Sequence, residues 1–311
     1  MSAALRSALI GLGRVAWAYP PASGEDQAST HRQAYQIAGI ECVGGCDPDA
    51  QARQRFTQAT GLPAYADPPS LLAAHAVDVA SICSPDAVHF EHAAVALAKG
   101  VKRIWLEKPP AANAAQAREL KLLADGARAT VAVNFFRRYH PCFEKMRDLL
   151  RRDALGPIRS VRLHYSRGLL TNGIHQLDLL GYLLGDGRRV EVQRAALSYH
   201  GIPVHVSGSE LPYHVQETEV LCEEGRIVAL QGGMALRTDP ARPNPDYPGF
   251  LHLESGRAEQ FAQPGHCFPA VLRDLMAAHQ AGRAPRSSIA SALQAMEIYE
   301  AIAHGDPRGR G

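Results

Sequence analysis

Lysine is scarce in this chain: of 33 basic residues only five are lysines, at 99, 102, 108, 121 and 145. Arginine carries the remaining positive charge, so a lysine placed at a strand end stands out. Runs of one charge sign are also missing. With 33 basic against 31 acidic side chains, a formal net charge of +2, and no basic stripe interleaved with aromatics, nucleic acid is not an expected partner. A small molecule is. No apolar run approaches membrane-spanning length, so no membrane partner is expected. Met1 to Arg6 enters a strand without the charged and apolar regions of a secretory leader, and a soluble, cytoplasmic protein is expected. Six cysteines in 311 residues make neither a disulfide framework nor a zinc pattern. Cys42 and Cys46 come closest, but strand alternation reads them as buried or half-buried thiols, and no metal site is expected.

What is present alternates strand and helix. Ala8-Leu9-Ile10 runs into Gly11-Leu12-Gly13-Arg14-Val15-Ala16, the spacing of a dinucleotide turn: Gly11 for the tight bend, Gly13 for close approach of a pyrophosphate, and small Ala16 for helix packing, with Arg14 and Val15 beside them. A second strand, Ile40 to Cys46, ends at Asp47, whose carboxylate can accept from both ribose hydroxyls of an adenosine and would repel a 2′-phosphate. NAD is therefore expected over NADP. Asp47 lies 31 residues beyond Ala16, against roughly 20 in the compact fingerprint. The excess is the segment Trp17 to Ser29, a loop by composition that either covers the ligand site or is variable surface, with Thr30 or Ser29 capping a helix through Ala34, Tyr35 and Ile37.

Further strands are read at 77–83, 103–106 and 130–133, and helices at about 88–99 and 113–124. This order implies a doubly wound parallel sheet, and residues 1–128 are expected to form the dinucleotide-binding domain. From 129 to 311 strands dominate, at 158–165, 190–197, 215–222, 226–231 and 250–253, with Glu223-Glu224-Gly225 as a hairpin turn and a helix at about 174–184. An α+β domain with a mainly antiparallel open sheet is expected there. Arg237 to Gly249, rich in proline and charge, reads as a loop. The last helix, about 289–304, is expected to be able to return to the first domain.

Glu107-Lys108-Pro109 follows the apolar strand Arg103-Ile104-Trp105-Leu106, at the end of the sheet where such folds present ligands. Together with the glycine turn, Cys46-Asp47-Pro48, Cys83-Ser84-Pro85-Asp86-Ala87-Val88-His89 and Gly173-Ile174-His175-Gln176-Leu177-Asp178, it makes the chain resemble the glucose-fructose oxidoreductase, inositol dehydrogenase and MocA (Gfo/Idh/MocA) family over nearly its whole length. The resemblance implies an amino-terminal Rossmann domain, an open-sheet second domain often used in oligomers (a dimer or tetramer), and NAD(P)-dependent redox chemistry on sugars or polyols. It implies Lys108 and His175 as catalytic residues, and Glu107, Ser84, Pro85 and His89 on the cofactor side. Asn134, Arg137 and Arg138 match the segment entering the second domain, so Asn134 and Arg138 are candidate substrate contacts.

One position departs from the family pattern. Many members carry an aspartate four residues before the histidine, where this chain has Thr171, which orients by hydrogen bonding but supplies no charge. Acid and base work then falls to His175 and Lys108. Asp178, one turn on, reads as packing or helix support more readily than as a replacement charge. Tyr165 and Arg167, ending a strand, and Asn172 beside Thr171 complete the candidate substrate contacts, each with an ordinary structural alternative. Trp17 and Tyr19 either stack on a sugar face or pack the loop down. Alcohol oxidation needs a hydride acceptor and a base near the hydroxyl. Either Lys108 stabilises the alkoxide while His175 takes the proton, or Lys108 is itself the base. A dinucleotide-binding sensor without turnover and an imine or carbonyl reductase are the competing readings.

Overall fold

A computed structural model of the chain describes residues 5–20, 24, 26–186, 190–193 and 196–305. In chain order the elements are β1 (Arg6–Ile10), α1 (His31–Ile37), β2 (Glu41–Cys46), α2 (Ala50–Thr60), β3 (Ala64–Tyr65), α3 (Pro68–Ala74), β4 (Val79–Ile82), α4 (His89–Ala98), β5 (Arg103–Leu106), α5 (Ala114–Gly126) and β6 (Thr130–Val133). There follow α6 (Pro141–Arg151), β7 (Ile158–Ser166), α7 (Ile174–Leu184), β8 (Val190–Gln193), β9 (Ala196–Tyr199), β10 (Ile202–Ser209), β11 (Gln216–Cys222) and β12 (Gly225–Leu230). The chain ends with β13 (Ala235–Pro243), β14 (Leu251–Leu253), β15 (Glu259–Gln260), α8 (Cys267–Gln280) and α9 (Ile289–Gly305).

Contacts divide the chain into two compact units, residues 1–136 with 264–293, and 137–263 with 294–311. The first unit thus runs past the expected boundary at 128 and takes in α8. Strand β6 pairs with β5 as the last strand of the first sheet, and Ser287 and Val133 exchange hydrogen bonds that tie the later segment to that strand.

All strands of the first sheet are parallel, in the order β3-β2-β1-β4-β5-β6. The order in which strands are added reverses between β1 and β4, and a crevice opens outside the carboxyl ends of strands at such a point. Strand β4 is buried along its length, as expected for a parallel strand covered on both faces. Side-chain caps start the helices: Thr30 accepts from Gln33 N, Asp49 from Gln51 N, Asp67 from Ser70 N and Asn113 from Gln116 N, each satisfying an amide the helix leaves without a partner. No full helix follows the glycine turn. One wide turn over Arg14–Ala18 takes its place, and the first regular helix waits until His31. The expected loop falls largely in this interval; its residues 21–23 and 25 lie outside the described residues.

The second unit is an α+β layer built on a nine-stranded sheet ordered β14-β13-β12-β11-β7-β10-β9-β8, with β15 also on β13. Its pairs are antiparallel except for β7 with β10. Two expectations fail locally. The strand read over 190–197 is an antiparallel pair of strands, β8 and β9; residues 194–195 lie outside the described residues. The stretch read as a loop from Arg237 is strand β13 as far as Pro243. Its prolines are tolerated because Pro240 pairs at the end of the β12 ladder and Pro243 against the short outer strand β14, the positions where a missing N–H costs least. Across the open face, Arg162, Glu219, Arg226, Asp239 and Arg237 form a chain of ion pairs spanning β7, β11, β12 and β13.

Candidate active site

In the first unit the site begins at the glycine turn. Gly11 has φ +90°, and a Cβ there would lie 2.5 Å from Ser84 N, so no other residue fits between the turn and the end of β4. Gly13 differs: nothing but Cys83 O, at 3.9 Å, lies near the place of its absent Cβ. That open approach is what a pyrophosphate needs. At the end of β2, Asp47 accepts from Leu12 N through Oδ2 and from Asp49 N through Oδ1, both at 2.9 Å. The carboxylate is thereby held beside the turn with lone pairs left for further donors. Arg14 is exposed, with its guanidinium 4.7 Å above the Tyr19 ring. Trp17 donates to Leu12 O and packs edge-on against Phe56, so it anchors the turn.

A cavity of about 320 Å³ lies at the reversal point, lined among others by Val15, Tyr19, Ser84, Glu107, Lys108 and Asn134. Lys108, two residues past the end of β5, lines it. Beneath it, Glu107 accepts from His31 Nε2 at 3.0 Å and Asn134 Nδ2 at 2.5 Å, with Lys108 N at 3.3 Å. Burial works against a charged carboxylate here, but contact with His31, backed by the Lys108 ammonium and Asn134, outweighs it and brings Glu107 below the usual carboxylate range. A larger cavity of about 470 Å³, lined by Arg128, Thr130, His279 and Arg283 among others, contains none of the predicted residues.

Several predicted contacts turn inward. Asn134 spends its amide on Glu107 and on Trp105 Nε1, so it fixes the floor of the cavity and has little left for a substrate. His89 is fully buried, and its ring nitrogens face Pro109 O at 2.6 Å and Ser84 O at 2.7 Å. It ties together the two turns that line the cavity and presents no polar atom to a cofactor. Ser84 Oγ pairs with His92 Nδ1 at 2.9 Å, and Pro85 opens the short turn before α4. His31, which sequence reasoning missed, enters from the residue after the Thr30 cap; that cap was the only available signal.

In the second unit, a wide turn over Leu169–Gly173 leads into α7, every residue of which is buried. His175, near its start, is buried while Thr171 in the turn is exposed. Asn172 donates to Ser166 O and its carbonyl accepts from Gln216 Nε2, so it holds the turn's shape. The Tyr165 ring packs against Gly173 and Gly208, and burial, then Glu210, raises its pKa. Arg138 is only 1 % exposed and donates to Asp178 at 2.9 Å and to Asp186 at 2.8 Å. It clamps α7 instead of contacting substrate. Burial opposes the charge on Arg138 but its two carboxylate partners overcome that, so it stays cationic. Asp178 is pushed up to about 6 by burial, which Arg138 only partly offsets. On the adjoining surface, Arg137 Nη2 and His214 Nε2 each come within 3.9 Å of the space above Gly232. Burial, then Arg137 and Arg167, lowers the pKa of His214.

A 3-2-1-4-5-6 parallel sheet with a glycine turn, an acidic end to β2 and a cavity at the reversal point defines a dinucleotide-binding Rossmann unit. Residues 5–135 match the family model described as "Oxidoreductase family, NAD-binding Rossmann fold" (GFO_IDH_MocA). That segment is similar to the NAD-binding domain of the Gfo/Idh/MocA oxidoreductases. Among curated relatives, D-glucoside 3-dehydrogenase of Escherichia coli K12 is 30% identical over 205 residues, covering 59% of this chain and 55% of that protein. The dTDP-3,4-didehydro-2,6-dideoxy-alpha-D-glucose 3-reductase of Actinomadura kijaniata is 25% identical over 280 residues, 81% and 83% of the two chains. The chain spans about half the length of the first curated relatives it matches. A solved structure of KijD10, a 3-ketoreductase from Actinomadura kijaniata with NADP and TDP-benzene, superposes with TM-score 0.75 at 20% identity, covering 97% and 98% of the chains. At that identity the likeness is one of fold. No helix among the described residues is long and apolar enough to cross a membrane, and they contain no group of three metal-ligating side chains.

Proposed function

We propose that this chain is an NAD(P)-dependent oxidoreductase that moves a hydride between nicotinamide and a hydroxyl-bearing carbon of a sugar, polyol or nucleotide-sugar-like molecule, with NAD preferred. The observation that carries the reading is Lys108 lining the Rossmann cavity just after β5, next to a buried Glu107 that His31 and Asn134 hydrogen-bond and whose pKa is lowered. The open approach at Gly13 and the held carboxylate of Asp47 fit a dinucleotide whose adenosine ribose has no phosphate. When bound, the cofactor supplies the hydride acceptor or donor. Lys108 and His175 are the groups assigned to the reacting oxygen, one stabilising negative charge on it and the other exchanging its proton.

Two relatives are named for chemistry at the 3-position of a sugar, and that position is the first to try here. The two guanidinium groups that act on His214, Arg137 beside Gly232 and Arg167, favour substrates that also carry a phosphate or carboxylate. The test is NADH formation with a panel of glucosides, polyols, sugar acids and nucleotide sugars, and NADH consumption with their 3-keto forms. Turnover with at least one hydroxylated compound is expected. Tight NAD binding with none would leave a dinucleotide sensor, and consumption of NADH only with imines would indicate the reductase reading.

A further inference from the structure

The cavity of about 470 Å³ in the first unit lies at the amino end of β6, away from the glycine turn, and shares no lining residue with the cavity at Lys108. Its size falls in the range of small-molecule sites, roughly 300–1,000 Å³. Val131, Pro285 and Ile289 give it an apolar wall, and Lys121, Arg128, His279 and Arg283 give it cationic or hydrogen-bonding groups. Two of those cations are already matched, Lys121 by Asp125 at 2.6 Å and Arg283 by Asp274 at 2.7 Å. Arg128 has no carboxylate partner among the described residues. Lys102 Nζ, which donates to Ala127 O at 2.7 Å, adds a further positive charge beside it. His279 Nδ1 meets Thr130 Oγ1 at 3.0 Å, and burial, then Arg103 and Lys102, lowers its pKa. Arg128 itself follows α5 with φ +50°, a left-handed position that glycine usually fills after a helix and that costs any residue with a Cβ. Ile289 and Ala290 line the cavity from the first turn of α9, whose leading amides have no intrahelical acceptor.

We propose that this cavity is a second ligand site, for a small organic phosphate: Arg128, His279 and the leading amides of α9 receive the dianionic head group, and an apolar body lies against Val131, Pro285 and Ile289. A guanidinium without a carboxylate partner offers the fork that phosphate oxygens fit. The space exceeds what a bare phosphate ion fills, which is why the ligand carries a body as well as a charge. The site is separate from the hydride chemistry and does not depend on it. The ordinary alternative is a solvated basic groove where helix ends meet, which attracts every anion weakly and prefers none.

The full-length chain is titrated with phenyl phosphate, inorganic phosphate and phenol at constant ionic strength, with and without saturating NAD to fill the pyrophosphate turn. Binding is followed by calorimetry and by the His279 ring resonances, identified by their loss in His279→Gln. Phenyl phosphate should bind saturably in the presence of NAD, about tenfold or more tighter than inorganic phosphate, and should move the His279 resonances. Phenol should do neither. Arg128→Gly should weaken phenyl phosphate about tenfold or more, yet unfold in urea no earlier than wild type, because glycine suits the left-handed position. Lys145→Ala, in the second unit, removes a positive charge elsewhere and should bind within about twofold of wild type. Uptake that never saturates, His279 resonances that stay in place, or binding lost when NAD is present would overturn the proposal. So would equal losses in Arg128→Gly and Lys145→Ala, or binding by Arg128→Gly as tight as by wild type. None of these readouts involves turnover, so a failure of the proposed reaction would leave this inference standing, and the reverse.

Discussion

Glu107 shows how one residue links stability to chemistry. Its carboxylate is buried, yet its pKa is depressed below the ordinary 4.5, so its contribution to stability is present above that value and is lost as pH falls through the depressed one. Glu107→Gln should therefore unfold at lower urea than wild type at neutral pH, and the gap should close as the pH is taken below 4. A constant gap from neutral to acid pH would show that the carboxylate is not ionised in the folded protein. The same residue explains a limit of sequence reading. Glu107-Lys108-Pro109 was legible because its meaning is local, a polar tripeptide ending an apolar strand. His31 was not, because the partner that gives it meaning is 76 positions away.

At the scale of elements, α7 is the piece that carries His175, and Arg138 holds it. A guanidinium in a sequence looks like surface, and only its partners 40 and 48 positions away reveal a buried clamp. Replacing Arg138 with Met leaves Asp178 buried without its counter-charge and should cost about 3–5 kcal/mol in urea unfolding at pH 8. The loss should shrink near pH 5, where Asp178, already pushed up to about 6 by burial, takes a proton. Arg138→Met with Asp178→Leu should recover most of the stability, and a double variant no better than the single one would contradict the clamp. Elements announced by local signals were read correctly, among them the Thr30 cap and the Glu223-Glu224 turn. Strand β13 was missed because its prolines match a loop until the neighbouring strands are known. Helix α8 was missed because its place beside β6 is decided by a return of the chain that no local pattern encodes.

For the molecule as a whole, both fold classes followed from the order of periodic segments, while the division did not, since residues 264–293 rejoin the first unit. Binding a dinucleotide should stabilise the chain by mass action, about 2.7 kcal/mol at a hundredfold excess over Kd. The thermal shift with NAD should exceed that with NADP. In Asp47→Ala the two shifts should converge, because the carboxylate that would repel a 2′-phosphate is gone. Equal shifts in wild type would mean that Asp47 does not read the ribose.

The central claim is hydride transfer at Lys108. It is tested most directly by offering the best substrate of the panel with deuterium on the carbon to be oxidised and following the label by mass spectrometry. The account predicts that the deuterium appears on the nicotinamide ring, and that Lys108→Ala slows its arrival about a hundredfold or more while binding NAD within about threefold of wild type. Deuterium released to water, or transferred equally fast by Lys108→Ala, would contradict it.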